Sequence, residues 1–455
     1  MARQTSRRQF VKQSAAIGAA VWVGGSVRSD DTAANSRVRY ACIGVGGKGG
    51  SDSGDAAKFG DVVAICDIDD STLDKAGERP GFEKAAKFND FRKMLEEKGN
   101  EIDAVTVSTP DHCHAPAAAM AMSMGKACFV QKPLTHTVCE ARRLQDIARE
   151  MNVATMMGNQ GTANSGLREA AAILKGQHLG NIKEVHVFTN RPVWPQGIGR
   201  PQEEEAPPWV HWDLWLGPAA SRGFSELYHP FKWRGWWDFG TGALGDMACH
   251  TFNMPFMGVE LKDPTAIQAW TTGHDGYGYP QKSKIKFDFP KNDWRGDVAV
   301  WWYDGGNLPD ESVLNGFGFK GDTKNPRGTI VVCEGGTLYS WEDYGADFTI
   351  LDGDGKEIAK PKVDYEKSPG HFQEWHQSII GERERATSNF ENYAGPLTET
   401  ILLGNLAVWA AKDANEPGKR IEWDAKTLTA TNAPEVMDVV NKSYREGWDT
   451  YLKKA

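Results

Sequence analysis

Residues 38–49 read Val-Arg-Tyr-Ala-Cys-Ile-Gly-Val-Gly-Gly-Lys-Gly. The apolar run Val38–Val45 passes directly into Gly44-Val45-Gly46-Gly47-Lys48-Gly49, and helix-like sequence follows. This is G-x-G-x-x-G in the context it requires, a strand before and a helix after. Gly44 allows the tight turn, Gly46 lets the main chain approach a pyrophosphate, and Gly49 lets helix and strand pack closely. The helix N-terminus then faces the phosphate charge. The next strand run, Asp61–Cys66, ends at Asp67, 18 residues beyond Gly49. That is close to the ~20 expected of the acidic residue that binds the adenosine ribose hydroxyls. Its carboxylate would repel a 2′-phosphate, and Asp69 and Asp70 add to the negative field. NAD is therefore favoured over NADP.

Strand runs recur at Ile102–Ser108, Ala127–Val130 and Val153–Met157, separated by helical runs that include Phe91–Lys98 and Thr137–Glu150. Such alternation predicts an α/β fold with a doubly wound parallel Rossmann sheet. Ligands bind beyond the carboxyl ends of its strands. Gly46, Asp67, Ser108-Thr109-Pro110 with His112 and His114, Gln131-Lys132-Pro133 and Asn159-Gln160 fall there. With Val45, Gly47 and Lys48 they are the expected cofactor contacts. Asp111-His112-Cys113-His114 sits on a strand-to-helix turn with no second cluster. It is taken as a hydrogen-bonding group near the nicotinamide, and no metal is expected. Pro133 restricts the lysine before it and admits a cis bond.

After Gly158 the parallel rhythm stops. Lys284–Phe289 alternates strictly, with Ile285, Phe287 and Phe289 on one face. Val298–Tyr303, Thr329–Cys333 and Phe348–Leu351 are further strand runs, flanked by helical runs at Gly166–Leu174, Phe372–Ile379 and Leu397–Ala411. This pattern fits a second α/β domain with a large, mostly antiparallel open sheet. The expected division is 1–36 signal and linker, 37–160 NAD-binding domain, and 161–455 substrate-binding and oligomerisation domain.

Residues 191–215 are rich in proline, glycine and tryptophan, and Tyr228–Trp237 follows soon after. A long irregular segment in a compact domain is usually functional. Sugars present C–H faces that stack on aromatic rings and hydroxyls that pair with polar side chains. Arg191, Trp194, Trp209, Tyr228, His229, Trp233 and Arg234 offer both, so a carbohydrate-binding wall or lid is expected here, although tryptophans also suit a core or an oligomer interface. The segment runs into Gly240-Thr-Gly-Ala-Leu-Gly-Asp-Met-Ala-Cys-His250. Asp246 and His250, four apart, share one face of a helix. Gln160 joins the expected substrate contacts.

The 455 residues suggest two domains. A net charge of −9 with no evident basic patch argues against nucleic acid. The seven cysteines fit no disulfide or zinc spacing and read as small buried hydrophobes. Residues 6–12, Ser-Arg-Arg-Gln-Phe-Val-Lys, precede an uncharged run, 14–25, too short for a comfortable membrane span. The pair Arg7-Arg8 resembles a twin-arginine signal, which exports folded proteins to the periplasm. No integral span is expected in the mature protein.

From about Val38 onward the chain resembles the Gfo/Idh/MocA oxidoreductases, the glucose–fructose oxidoreductase and inositol dehydrogenase group. The likeness rests on Gly44–Gly49, Thr109-Pro110 with His114, Lys132-Pro133, and Asp246 with His250. The group's usual Glu-Lys-Pro stands here as Gln131-Lys132-Pro133, which removes a charge beside the lysine. The resemblance implies that Lys132, Asp246 and His250 form the catalytic set, that the substrate is a sugar or sugar derivative, and that the protein is a homo-oligomer, dimer or tetramer. His250 would take the hydroxyl proton and Lys132 would stabilise the oxyanion. An exported enzyme is expected to hold and recycle its NAD. The same groups suit an oxidation–elimination–hydration–reduction route resembling glycoside hydrolase family 109. A catalytically inactive carbohydrate-binding module of the same fold is the remaining alternative.

Overall fold

The computed structural model describes residues 37–314 and 325–453. The signal expected at the N-terminus lies outside the described residues. Residues 39–455 form one compact unit. Its first half holds strands β1 (Val38–Ile43), β2 (Gly60–Cys66), β3 (Ala86–Phe88), β4 (Ala104–Val107), β5 (Ala127–Val130) and β6 (Thr155–Met157). They line up as β3-β2-β1-β4-β5-β6, the doubly wound order, with parallel ladders. Helices α1 (Gly47–Phe59), α2 (Asp70–Gly77), α3 (Phe91–Lys98), α4 (Asp111–Ser123) and α5 (Val138–Met151) make the crossovers. The caps are legible: Asp69, Asp90 and Thr137 accept main-chain N–H bonds at the starts of α2, α3 and α5, and Thr137 with Glu140 closes a capping box.

The second sheet has ten strands. β7 (Ile182–Phe188) lies among β8 (Ala266–Thr271), β9 (Ser283–Phe289), β10 (Val298–Tyr303), β11 (Gly328–Cys333), β12 (Gly336–Ser340), β13 (Thr349–Leu351), β14 (Glu357–Ile358), β15 (Ile421–Asp424) and β16 (Thr429–Ala430). The order is β14-β13-β12-β11-β7-β10-β9-β8-β15-β16, antiparallel except where β7 meets β10. The alternation in β9 behaves as expected: Ile285, Phe287 and Phe289 are buried, while Lys284, Lys286 and Asp288 are half-buried.

Two helices fill the space behind this sheet. In α6 (Gly242–Thr251) every residue is buried. In α7 (Gly395–Ala410) apolar residues run all round, as a helix enclosed by protein requires. Among the described residues no helix is long and apolar enough to cross a membrane.

Candidate active site

The glycine-rich turn leaves β1 at Gly44, whose φ is +76° and whose added Cβ would lie 2.6 Å from the Ser108 carbonyl oxygen. A Cβ on Gly49 would lie 2.0 Å from the Gly44 carbonyl oxygen, so α1 can approach the turn only because that position is glycine. Gly46 starts α1 without a side-chain cap, leaving first-turn N–H groups available to an anion. Asp67 stands beside this turn, its Oδ2 accepting from Val45 N at 2.9 Å and its Oδ1 from Asp69 N at 3.1 Å. Burial raises its pKa, partly offset by those bonds.

A cavity of about 790 Å3 opens on this turn and continues to α6. Its walls include Gly44, Gly46, Gly47, Lys48, Asp67, Ser108, Thr109, Pro110, Gln131, Lys132, Gln160, Arg191, His229, Trp233, Arg234, Asp246 and His250. The expected dinucleotide contacts and the expected catalytic groups therefore share one space. The Lys132–Pro133 peptide is cis. Lys132 Nζ donates to Asp246 Oδ1 at 2.6 Å and to the Asp246 carbonyl at 3.1 Å. Arg234 lies 3.3 Å from Asp246 Oδ1 and Arg191 3.9 Å from Oδ2. Burial alone would push the Asp246 carboxyl up, but Lys132 and Arg234 together hold it well below the usual range. One turn along, burial and then Lys132 push the His250 imidazole well below its ordinary value. Its buried Nδ1 has no hydrogen-bond partner among the described residues. A neutral imidazole is what a general base needs.

Asp111 assembles the floor. Its Oδ2 accepts from Thr241 N at 3.1 Å and Thr241 Oγ1 at 2.7 Å, just before α6, and its Oδ1 accepts from Arg234 at 3.3 Å. Gln131 is explained by Asp52 of α1. Gln131 Nε2 donates to Asp52 Oδ2 at 2.8 Å, Ser108 Oγ donates to the same oxygen at 2.8 Å, and Lys48 Nζ reaches Asp52 Oδ1 at 2.5 Å. A carboxylate supplied by another element is thus bonded to Gln131, the residue before Lys132.

Several expected contacts are placed elsewhere. His112 is buried between the carbonyls of Phe239 (3.2 Å) and Trp215 (2.9 Å), and burial lowers its pKa to about 4. His114 bridges the carbonyls of Thr109 and Pro133, each at 2.8 Å, so it fixes the lysine-bearing turn from behind. Val45, Gly49 and Asn159 also stand behind the cavity wall, Asn159 accepting from Ser388 Oγ at 2.5 Å. Tyr228 belongs to a buried cluster with Trp215, Trp236 and Phe239, and Trp194 is buried against Arg234. The aromatic stretch is therefore mainly core; Trp215, Phe231 and Trp233 are the aromatics from it that reach the cavity. His229 reaches it on the nucleotide side, near Asp69 and Trp215. Among the described residues no group of three or more His, Cys, Asp or Glu side chains is placed to hold a metal.

Two wall residues carry no motif. Asp343 and Tyr344 come from the loop between β12 and β13. The Tyr344 ring meets His250 edge-on at 4.9 Å. Asp343 Oδ1 is buried 3.4 Å from Arg327 Nε, and burial raises its carboxyl pKa against the pull of that guanidinium.

Two models of one family match the chain in tandem. The Gfo/Idh/MocA oxidoreductase family's NAD-binding Rossmann fold matches residues 38–159, and its C-terminal α/β domain matches residues 174–272. A glycosyl hydrolase family 109 protein of Shewanella pealeana is 35% identical over 130 residues, 26% of this chain and 28% of that one. A D-xylose 1-dehydrogenase [NADP(+)] of Haloarcula marismortui is 25% identical over 168 residues, 36% of this chain and 46% of that one. The chain thus spans between about a quarter and a half of these curated relatives. The WlbA dehydrogenase of Bordetella pertussis, solved with NADH and UDP-GlcNAcA, superposes with a TM-score of 0.57 at 18% identity, covering 85% of this chain and 99% of that one. Residues 38–159 and 174–272 thus match the two domains of the Gfo/Idh/MocA oxidoreductase family.

Proposed function

We propose that this protein oxidises a carbinol carbon of a sugar or sugar derivative with NAD, and that the nucleotide is retained and recycled by passing the hydride on to the carbonyl carbon of a second compound. The observation that carries this is the single cavity in which Lys132, Asp246 and His250 face the space bounded by Gly44–Lys48 and Asp67. The residues fit the dinucleotide: α1 begins uncapped at Gly46, where an added Cβ would lie 2.9 Å from Thr72 Cγ2, and the half-buried Asp67 carboxylate stands beside it. NAD held there would supply the hydride acceptor. His250 takes the hydroxyl proton. Lys132, fixed by Asp246, stabilises the oxygen as it becomes anionic. Arg234, anchored by Asp111 and beside the same Asp246 oxygen as Lys132, orients the substrate. Asp67, with Asp69 and Asp70 behind it, supports NAD against NADP by repelling a 2′-phosphate.

A panel of sugars added to the purified protein, followed by nicotinamide absorbance, tests this. An absorbance change that vanishes in both His250→Ala and Lys132→Ala is expected; turnover surviving both substitutions overturns the assignment. No absorbance change with any sugar would favour a binding protein.

Asp343 and Tyr344 support a second reading, NAD-dependent glycoside hydrolysis. A single oxidation uses one base, whereas oxidation next to a C–H bond followed by aglycone loss, water addition and reduction uses further acid–base groups. Here Asp343 and Tyr344 supply them within the same cavity. Release of aryl aglycone with solvent deuterium entering the sugar ring is the expected result; stoichiometric NADH without aglycone release sinks it. Export by the twin-arginine route and homo-oligomer assembly complete the proposal. Loss of periplasmic protein in an Arg7→Lys, Arg8→Lys variant tests the first, and light-scattering mass tests the second.

A further inference from the structure

The nucleotide end of the cavity is closed by chain that the Rossmann fold does not contain. Residues 207–217 cross the turn after β2. Asp69 and Val210 form an antiparallel bridge, Asp70 N donates to the Trp209 carbonyl at 2.9 Å, and His211 N donates to the Ile68 carbonyl at 2.9 Å. His211 Nε2 lies 2.9 Å from Asp70 Oδ1. The two main-chain bonds that make the bridge and the His211–Asp70 pair all fall within three residues of Asp67. The crossing segment then lays Leu214 and Trp215 into the cavity wall.

A second segment, the C-terminal tail, locks the first. Arg445 Nε donates to the Gly217 carbonyl at 2.7 Å, its NH2 to the Asp213 carbonyl at 2.7 Å, and its NH1 pairs with Asp213 Oδ1 at 2.5 Å. Arg445 N donates to the Pro218 carbonyl at 3.0 Å. Three residues on, Trp448 enters the cavity wall beside Phe91, ring to ring at 5.9 Å, with Arg92 over its face at 4.1 Å. Phe91 follows β3, next to the strand that carries Asp67.

We infer that the adenosine end of the dinucleotide site is completed by residues 207–217 and by Trp448, and that this double strap keeps the nucleotide bound between turnovers. The inference rests on the reading of the cavity as an NAD site. The β2 side of a doubly wound sheet takes the adenosine half, and that is the end these segments cover. Release requires the strap to part from the turn after β2, from Arg445, or from both. Aromatic walls at Trp215, Phe91 and Trp448 suit a flat purine.

The full-length protein tests this directly. It is loaded with NADH, passed through gel filtration, and its nucleotide counted by chromatography after denaturation. Dissociation is then followed by NADH fluorescence during a chase with excess NAD. The parent is expected to carry about one nucleotide per chain and to release it slowly. Arg445→Ala and Trp448→Ala are expected to release it at least tenfold faster while still binding NADH supplied in excess. If Trp448→Ala does not fold, Arg445→Ala carries the same test, because its bonds lie at the rim. A parent that binds NADH but exchanges it as fast as the variants overturns the strap and leaves the NAD site standing. A parent that binds no NADH at any concentration overturns the NAD site itself, and the strap with it.

Discussion

Replacing Asp246 by asparagine removes one charge from the most tightly coupled group in the cavity. Asp246 is buried and holds Lys132 at 2.6 Å, with Arg234 at 3.3 Å and Arg191 at 3.9 Å. Asparagine keeps the shape but leaves the cations facing one another. Removing one partner of a buried pair costs about 3–5 kcal/mol. Lys132 keeps 17% side-chain exposure, so solvent screens part of this and a loss of about 2–3 kcal/mol is expected. The pH dependence fixes the cause. The Asp246 carboxyl is held below its ordinary value by Lys132 and Arg234 acting against burial. A depressed carboxylate contributes its full stability above the unfolded pKa of ~4 and loses it as pH falls towards the folded value. Urea unfolding of parent and variant at several pH values reads the gap. It should be full at pH ~7 and ~5, and narrow by about 1.4 kcal/mol per unit below pH ~4. No gap near neutrality, or a gap that does not narrow in acid, refutes the coupling. The variant should also lose turnover while retaining nucleotide.

Other consequences follow from the same geometry. Because burial and Lys132 lower the His250 imidazole pKa, the acid limb of kcat/KM should lie below ~6.5, and a limb at or above that value would remove His250 as the base. His250→Gln should cost about 10²–10⁴ in kcat without changing nucleotide content. Asp343→Asn should raise the sugar KM about tenfold, the ~1.4 kcal/mol of one hydroxyl hydrogen bond; an unchanged KM removes Asp343 from the substrate wall. Gln131→Glu places a second carboxylate where Nε2 now lies 2.8 Å from Asp52, so stability should fall by about 1–3 kcal/mol, more at high pH than at low pH; calorimetry across pH reads this, and an equal loss at every pH would deny the charge clash. Asp67→Ala should narrow the preference for NAD over NADP in equilibrium titrations; an unchanged ratio would mean that another group sets it.

Much of this was legible because it is periodic or carries a motif. The Phe91–Lys98 helix, the β9 alternation and the Gly44–Gly49 turn each follow from local spacing. The pairing of Lys132 with Asp246, 114 residues apart, became legible through the family resemblance, since no local pattern encodes a contact at that distance. Asp343, Tyr344 and Trp448 left no signal because each is one side chain on an irregular segment, brought to the cavity by the path of the whole sheet or tail. The aromatic stretch misled for a related reason. Composition counts rings but does not say which way they face, and Tyr228, Trp236 and Phe239 face inward, where burial rewards them most. His112 and His114 misled likewise: a histidine at a strand's carboxyl end can serve the ligand or the main chain that shapes its site, and here both bond carbonyls.

Gln131 shows why a departure from a family motif has to be read in three dimensions. In sequence it subtracts a negative charge next to Lys132. In space the missing carboxylate is replaced by Asp52, reached from α1 and held by Gln131, Ser108 and Lys48 together. The exchange changes the wiring more than the charge. Asp52 is bonded to Lys48 of the glycine-rich segment and to Gln131, the residue before Lys132, so it joins the two segments through two hydrogen-bonded links. An anion at Gly46 would draw on Lys48, and any change in the Lys48–Asp52 pair reaches Gln131 directly. A nucleotide bound at that turn would therefore act on Gln131, the neighbour of Lys132.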